Sequence, residues 1–204
     1  MDKRPMKTVG ESRTEQVQIV LPGHSNGDGR LFGGRLMEWI DVVAAVVARR
    51  HSGVNVTTAA VDNLQFKAAA HIGDTVLLVG QMTWTGNTSM EVRVDVYVEN
   101  LGGDKALINQ AYLVLVAIDQ EENPVPVPGL FTIVPEEKAE WEGGQRRRAL
   151  RRQQIAAHDH DSGIQHHGAQ TAGDKGAELL GHGFAGGLAA EHERAVGAVG
   201  KQDA

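Results

Sequence analysis

From residue 90 to residue 98 the chain alternates strictly between apolar and polar side chains. The apolar positions are Met90, Val92, Val94, Val96 and Val98, and the positions between them are Glu91, Arg93, Asp95 and Tyr97. A period of two predicts an antiparallel strand with one face buried and the other in water. Segment 75–84 alternates less regularly, and Gly86 with Asn87 predicts the hairpin turn that joins the two strands.

Segment 34–51 has helical spacing instead. Its main apolar stripe is Leu36, Ile40, Val43 and Val47, widened by Met37, Ala44 and Ala48. Apolar side chains also occupy the side that a surface helix would leave polar, at Trp39, Val42 and Val46. A helix that is apolar on nearly every side is typical of a buried position. The sequence His51-Ser52-Gly53 is a suitable stop signal for this helix.

Three more apolar segments, 16–21, 54–66 and 106–118, are predicted to be strands. Prolines at 124, 126 and 128 exclude further ladder pairing and predict an extended exit from the last strand. The order is therefore one strand, one buried helix and four strands, which favours an antiparallel α+β sheet because parallel crossovers would need more helices. The predicted fold is a five-stranded antiparallel sheet wrapped around one long buried helix, the hot-dog arrangement.

The composition of the chain changes near residue 152. Residues 136–152 are highly charged and predict a partly helical extension. Its arginines at 146–148, 151 and 152 are expected to form a solvated helix face, with contact to phosphates or RNA as the alternative. Residues 153–204 are rich in Gly, Ala and His and bury too little apolar surface to offset their ordering entropy. They are predicted to be disordered, with at most a transient helix at 187–196.

Composition narrows the possible chemistry. The 204 residues carry a net charge of −6 and include no cysteine, which excludes disulfides, thiolate metal sites and a thiol nucleophile. No apolar run approaches the ~20 residues that span a bilayer, so we expect a cytoplasmic protein without membrane insertion. The mild acidity gives no reason to expect a nucleic acid partner. Histidines and aspartates between 158 and 167 lie in the predicted disordered tail, where no functional metal site is expected.

The candidate chemistry concentrates in residues 21–41, a glycine-rich loop that leads into the buried helix. Gly33 and Gly34 leave backbone N–H groups open at the positive end of the helix dipole, which suits a developing oxyanion. Alternatively, the glycines only allow close packing on the sheet. Asp41 lies beside the apolar side of the helix, where a carboxylate is either a general base or a structural residue paired with an arginine or a loop. Glu38, one turn earlier, is expected to be solvated.

A longer pattern runs through the same loop and helix: Pro22, Asn26, Gly29, Phe32, Gly33 and Gly34, then Leu36, Met37 and Asp41. Downstream, it continues with Thr57-Thr58, Phe66, Ile72-Gly73-Asp74, the run from Gly86 to Val92, and Val116 to Asp119 followed by Pro126-Val127-Pro128. This combination resembles the acyl-CoA thioester hydrolases of the hot-dog fold, in particular the bacterial and brain cytosolic type. The resemblance covers about residues 10–135, which are expected to form the hydrolase domain.

The resemblance implies hydrolysis of an acyl-CoA thioester to free fatty acid and CoA, without a cofactor. It implies that Asn26 and Asp41 are catalytic and meet across the interface of a homodimer, which the family often assembles into a trimer of dimers. Asp41 would activate water or attack to form a transient anhydride, Asn26 would orient the water or nucleophile, and the Gly34 N–H would stabilise the oxyanion. The implied substrate-binding residues are Phe32, Gly33, Thr88 and Ser89.

Two other functions remain as alternatives. Gly23-His24-Ser25-Asn26-Gly27 matches the G-x-S-x-G pattern of serine hydrolases, which also needs a parallel sheet and a later aspartate and histidine. The second alternative is a hot-dog protein that binds acyl-CoA as a non-catalytic sensor. The presence of both Asn26 and Asp41 favours the enzyme.

Overall fold

The computed structural model describes residues 4–161, with the side chains of all of them except 63 and 155–161. Its elements in chain order are β1 (Met6–Thr8), β2 (Thr14–Ile19), α1 (Gly33–Ser52), β3 (Asn55–Phe66), β4 (Thr75–Thr85), β5 (Ser89–Glu99), β6 (Lys105–Ile118), β7 (Gly129–Phe131) and α2 (Pro135–Asp161). Strands β2 to β6 form one antiparallel sheet in the order β2-β4-β5-β6-β3, and α1 packs on its inner face. The predicted α+β hot-dog fold is confirmed.

The hydrophobic core lies between α1 and the inner face of the sheet. Every second residue of β5 from Met90 to Val96 is buried in the same cluster as Ile40, Val43 and Val47 of the helix. Each such aliphatic side chain contributes about 1.5–3 kcal/mol when it leaves water. The alternation along β5 and the helical stripe of α1 therefore determine which faces of the two elements meet.

Gly80 in β4 sets the distance between the helix and the sheet. A Cβ atom at this position would lie 2.6 Å from Cγ1 of Val43 and 2.9 Å from Cγ2 of Val47. Only a residue without a side chain lets α1 pack this closely on β4. The carboxyl end of α1 is at Ser52, and the following Gly53 has a left-handed φ of 77°, as the predicted stop signal requires.

Two features of the fold differ from the prediction. Strands β1 and β7 form an additional parallel pair, in which Lys7 lies opposite Leu130. Each has only three residues, too few to show a hydrophobic period. Helix α2 continues to Asp161, past the predicted limit of the charged extension at 152. The helix predicted at 187–196 and the rest of the predicted tail after 161 lie outside the described residues.

The outer face of β5 is not exposed to water, contrary to the expectation from its alternation. The side chain of Glu91 is fully buried, and that of Asp95 nearly so. Helix α2 covers this face, and Arg147 and Arg151 reach from it to Glu91. The expectation of a solvated arginine face is therefore wrong for these two residues, because they pair with carboxylates of the sheet.

A buried ion-pair network holds α2 on the sheet. Arg147 donates three hydrogen bonds to the Glu91 carboxylate at 2.7 to 3.2 Å, and the Thr83 hydroxyl donates another at 2.8 Å. Arg151 bridges Glu91 and Asp62. Burial alone would lower the pKa of the Arg147 guanidinium, but the hydrogen bond and charge of Glu91 outweigh it and raise the pKa overall. The guanidinium therefore stays charged.

The same network extends along β5 and β6 through Glu140 of α2. Its carboxylate pairs with Arg93 and accepts a hydrogen bond of 3.2 Å from the Tyr112 hydroxyl. Burial, and after it the charge of Glu140, raises the pKa of the Tyr112 hydroxyl, so the phenol remains a donor. The Arg147 guanidinium lies 3.7 Å from the centre of the Tyr112 ring.

His51, in the last turn of α1, is fully buried. Its Nε2 atom lies 3.1 Å from the Pro128 carbonyl oxygen and donates to it, while Nδ1 has no partner among the described residues. Burial lowers the pKa of His51 below 6.5; the bond to Pro128 and the charge of Glu11 oppose this, and the charge of Lys7 adds to it. The imidazole is therefore neutral in the folded protein near neutral pH.

This burial predicts a pH-dependent stability. Because the folded state resists protonation of His51, the unfolded state binds more protons, and the free energy of unfolding falls as pH drops below about 6.5. Urea unfolding at about pH 7.5 and about pH 5.5, above the ordinary range of carboxyl groups, measures this loss. His51→Gln should show a smaller loss between the two pH values. Equal losses in both proteins would contradict the assignment.

Candidate active site

Asn26 closes the loop that precedes α1. After a short 3-10 helix at Pro22–His24, the Asn26 side-chain oxygen accepts hydrogen bonds from the backbone N–H groups of Asp28 at 3.0 Å and Arg30 at 3.1 Å. These bonds fix the orientation of the amide, because its oxygen must face the loop backbone. The side-chain nitrogen has no hydrogen-bond partner among the described residues and is left as a donor.

The first turn of α1 presents backbone donors between two phenyl rings. The N-cap residue is Phe32, no described side chain caps the helix, and Leu36 N–H makes the first bond back to the Phe32 carbonyl. A Cβ atom at Gly34 would lie 2.6 Å from the Phe32 ring, and one at Gly33 would lie 3.6 Å from the Phe66 ring. The two interpretations of the glycines are thus compatible, since close packing and open N–H groups occur together.

Asp41 is half-buried on α1 and is held by β3. The Thr58 hydroxyl donates a hydrogen bond of 2.7 Å to Asp41 Oδ1. Within the described part of the chain, Oδ2 has no hydrogen-bond partner, so one carboxylate oxygen is anchored and the other is available. An arginine partner, as the structural interpretation supposed, is not found among these residues. Sequence reasoning did not select Thr58 as a site residue, although the resemblance included it.

Gly34 and Asp41 do not converge within one chain. They are seven residues apart in the same helix, which separates them by about 10 Å along its axis. The N–H groups of the first turn point away from the third turn. A carbonyl bound at Gly34 is therefore too distant for Asp41 of the same chain, because reacting atoms need to approach within about 3–3.5 Å.

Thr88 and Ser89 lie in and beside the hairpin between β4 and β5, at the end of the sheet away from the start of α1. Ser89 pairs with Val116 of β6, and Thr58 pairs with the preceding residue of that strand, Leu115. Ser89 and Thr58 are therefore nearly level, two strands or about 10 Å apart. The Ser89 side chain, however, lies on the outer face of the sheet beside Trp84, whereas Thr58 and Asp41 meet on the inner face.

A pocket of about 360 Å³ opens beside the start of α1. The loop, the helix and β6 contribute Asn26, Leu31, Gly33, Leu36 and Ile108 to its wall. The rest comes from Arg30 and from segment 66–70, which begins at the last residue of β3. The pocket therefore adjoins the Asn26 amide and the helix start, whereas Asp41 lies outside its lining.

The geometry does not support the serine hydrolase alternative. The Ser25 hydroxyl donates to the Pro22 carbonyl at 2.7 Å rather than to a histidine. The Nδ1 atom of the adjacent His24 accepts the Leu21 N–H. The sheet that follows is antiparallel, whereas a nucleophile elbow needs a parallel one.

The described part of the chain has neither a cluster of metal ligands nor a helix that could span a membrane. Within residues 4–161, no three His, Cys, Asp or Glu side chains are placed to hold a metal ion. The histidines and aspartates at 158–167 fall among residues whose side chains are not described. Neither helix in the described part of the chain has the length and apolar character needed to cross a membrane.

Comparison with known sequences identifies relatives of this chain. A family model described as the thioesterase superfamily matches residues 28–103. The chain is 38% identical over 131 residues to an uncharacterized acyl-CoA thioester hydrolase of Bacillus subtilis, and the match covers 64% of this chain and 74% of that protein.

Solved structures are similar as well. An apo hexameric acyl-CoA thioesterase has a TM-score of 0.72 and 38% identity, covering 74% of this chain and 98% of the other. An acyl-CoA hydrolase from Staphylococcus aureus in complex with butyryl-CoA has a TM-score of 0.70 and 31% identity, covering 78% and 99%. Alanine variants of that hydrolase were solved at an asparagine, an aspartate and a threonine that are 15 and 17 positions apart. Asn26, Asp41 and Thr58 have the same separations.

Proposed function

The chain belongs to the acyl-CoA thioester hydrolase family of the thioesterase superfamily, and on this premise we propose that it hydrolyses acyl-CoA thioesters to the carboxylic acid and CoA in the cytoplasm. The observation that carries the proposal is the half-buried carboxylate of Asp41, with one oxygen anchored by Thr58 and the other available. Thioester hydrolysis needs a base and donors to the oxyanion. The Asp41 carboxylate is the base, and the open N–H groups at the start of α1 and the Asn26 amide are the donors.

Asp41 is the general base in this proposal. Its available oxygen takes a proton from a water molecule, whose oxygen attacks the thioester carbonyl carbon. The C–S bond then breaks to give the carboxylic acid and the CoA thiolate, which takes up the proton. Attack by Asp41 itself, followed by hydrolysis of the anhydride, gives the same products. The hydrogen bond from Thr58 holds the carboxylate in one orientation for either route.

The resemblance implies that Asn26 orients the water or nucleophile. Because its side-chain nitrogen is a donor without a partner among the described residues, we assign it, with the Gly34 N–H, to the developing oxyanion. The Asn26 oxygen is tied to the loop backbone, so its nitrogen points away from the loop and can donate to the substrate. Phe32 and Gly33 are assigned to substrate binding at the same helix start, where the exposed Phe32 ring shields the donors from water. Removing one donor from an oxyanion site costs about 10²–10³ in kcat.

Each active site combines two protomers. The separation of about 10 Å along α1 prevents Gly34 and Asp41 of one chain from acting on one carbonyl. Exposed apolar side chains near Asp41, namely Met37 and Val42 on α1 and Val61 on β3, form a surface that a second copy would cover. The hexameric assembly of a similar structure supports association. Thr88 and Ser89 remain proposed substrate-binding residues at the hairpin between β4 and β5.

Mixing two inactive variants tests both the activity and the shared site. Asn26→Ala and Asp41→Ala are each expected to release almost no thiol from a panel of acyl-CoAs. In a mixed dimer, one site carries both substitutions and the other carries neither. After subunit exchange at equal amounts, half of the dimers are mixed and activity should return to about a quarter of the unsubstituted level. Thiol release with a colorimetric reagent measures this recovery.

The controls separate the two claims. The unsubstituted chain should release thiol from acyl-CoA, and tight acyl-CoA binding without turnover would instead favour a sensor. Activity of the unsubstituted chain without recovery in the mixture would contradict the shared site and leave the hydrolase assignment intact. Mass spectrometry of differently tagged chains confirms that subunits have exchanged.

A further inference from the structure

We infer that the pocket beside the start of α1 receives the acyl chain, and that the small side chains of Ala68 and Ala69 select the chain lengths that fit. The inference rests on the proposed function and adds specificity residues to it. Neither alanine takes part in the chemistry proposed for Asn26, Gly34 and Asp41. Both line the pocket and both are exposed in the single chain.

The position of the pocket connects it to the reacting carbonyl. Its lining includes Asn26, one of the two proposed oxyanion donors, and Gly33, which precedes the other. A thioester whose carbonyl oxygen is held there must direct either its acyl chain or its pantetheine arm into the adjacent space. The volume of about 360 Å³ is at the lower end of the range for small-molecule pockets.

The chemistry of the wall favours the acyl chain. The inner wall is built from aliphatic and aromatic side chains, among them Leu31, Leu36, Phe66 and Ile108. The two cationic residues of the lining, Arg30 and Lys67, are exposed, so their charged groups can stay in water.

Two backbone N–H groups of the wall are already paired. Leu31 N–H donates to the Ala70 carbonyl at 2.8 Å, and Lys67 N–H donates to the Ile108 carbonyl at 2.9 Å. A pantetheine arm has two amides that would lose their water here and find few partners, which is costly. An alkyl chain gives up no hydrogen bonds to water on entering the same space, and its burial is favourable.

The side chains of Ala68 and Ala69 are single methyl groups, so these two positions leave space in the pocket that a larger side chain would fill. A leucine at either position adds three carbon atoms to the lining and is expected to shorten the space available to the acyl chain. One methylene more or less in a hydrophobic pocket is worth about 10–200-fold in kcat/KM. Because both alanines are exposed, the larger side chain can be accommodated without repacking the core.

The test measures kcat/KM for a series of acyl-CoA substrates from acetyl-CoA to palmitoyl-CoA, with the 204-residue protein. Ala69→Leu is expected to lower kcat/KM for the longest substrates at least tenfold while changing that for acetyl-CoA less than about twofold. Ala68→Leu serves as a second variant if the first does not fold. Ala139→Leu, at an exposed alanine of α2 outside the pocket, is the matched control and should leave the series unchanged. Circular dichroism and size-exclusion chromatography check folding and assembly.

Other outcomes overturn the inference in recognisable ways. An equal loss for all chain lengths, together with weaker inhibition by free CoA, would place pantetheine in the pocket. An unchanged series in both leucine variants would place the pocket outside the substrate path. In either case the unsubstituted chain still hydrolyses acyl-CoA, so the proposed function survives. No turnover of any acyl-CoA by the unsubstituted chain would overturn the proposed function, and the inference with it.

Discussion

Replacing Asp41 with asparagine is expected to lower kcat for acyl-CoA hydrolysis about 10²–10⁴-fold, because the asparagine amide cannot take a proton from water. The change keeps the size of the side chain and an oxygen that can accept the hydrogen bond from Thr58. The fold should therefore persist, and KM should change much less than kcat. Steady-state thiol release at several substrate concentrations separates the two parameters.

Two further variants show whether the effect belongs to Asp41. Glu38→Gln, one turn earlier on the exposed side of α1, removes a carboxylate of the same helix and should leave kcat unchanged. Thr58→Val removes the hydroxyl that anchors Asp41 and should cause a smaller loss than Asp41→Asn. Full activity of Asp41→Asn would refute both the base and the anhydride routes.

Glu91→Gln is expected to destabilise the protein by about 3–5 kcal/mol without touching the chemistry. Glu91 is fully buried, and its carboxylate balances the guanidinium groups of Arg147 and Arg151. The neutral amide leaves these cations with Asp62 and Glu140 as their remaining partners. Urea unfolding at neutral pH measures the change as a lower midpoint.

The same substitution at a surface ion pair is the control. Glu38 pairs with Arg35 at 2.6 Å, and both side chains are exposed, so Glu38→Gln should cost less than about 1 kcal/mol. Arg147→Met combined with Glu91→Gln should cost less than the sum of the two single changes, because the cation and its partner are then removed together. Similar midpoints for Glu91→Gln and Glu38→Gln would contradict a stabilising network beneath α2.

The elements that sequence predicted correctly are those specified by local periodicity. The apolar stripe along α1 and the alternation along β5 are properties of consecutive residues, so both elements could be placed within one or two residues. The order of elements then favoured an antiparallel sheet, because its short connections exclude parallel crossovers. The loop that leads into α1 was recognised because Asn26, Gly33 and Gly34 stand close together in the chain.

Contacts between distant segments could not be predicted in the same way. Glu91 has the spacing of a solvated residue, and only the packing of α2, more than fifty positions later, makes it a buried ion partner. Thr58 and Asp41 belong to a strand and a helix whose crossing determines their contact. The parallel pairing of β1 with β7 joins two three-residue strands that are separated by the whole five-stranded sheet in the sequence.

The close seat of α1 on Gly80 has a consequence for mutational scans of this protein. Val43, which contacts Gly80, is only two residues after Asp41, so any side chain at 80 would push outward the turn that carries the base. A mutational scan that measured turnover alone would class Gly80 with the catalytic residues. Gly80, however, has no side chain that could take part in the reaction and lies on a different strand from Thr58. Scoring soluble yield in parallel with turnover would separate a displaced base from a lost one.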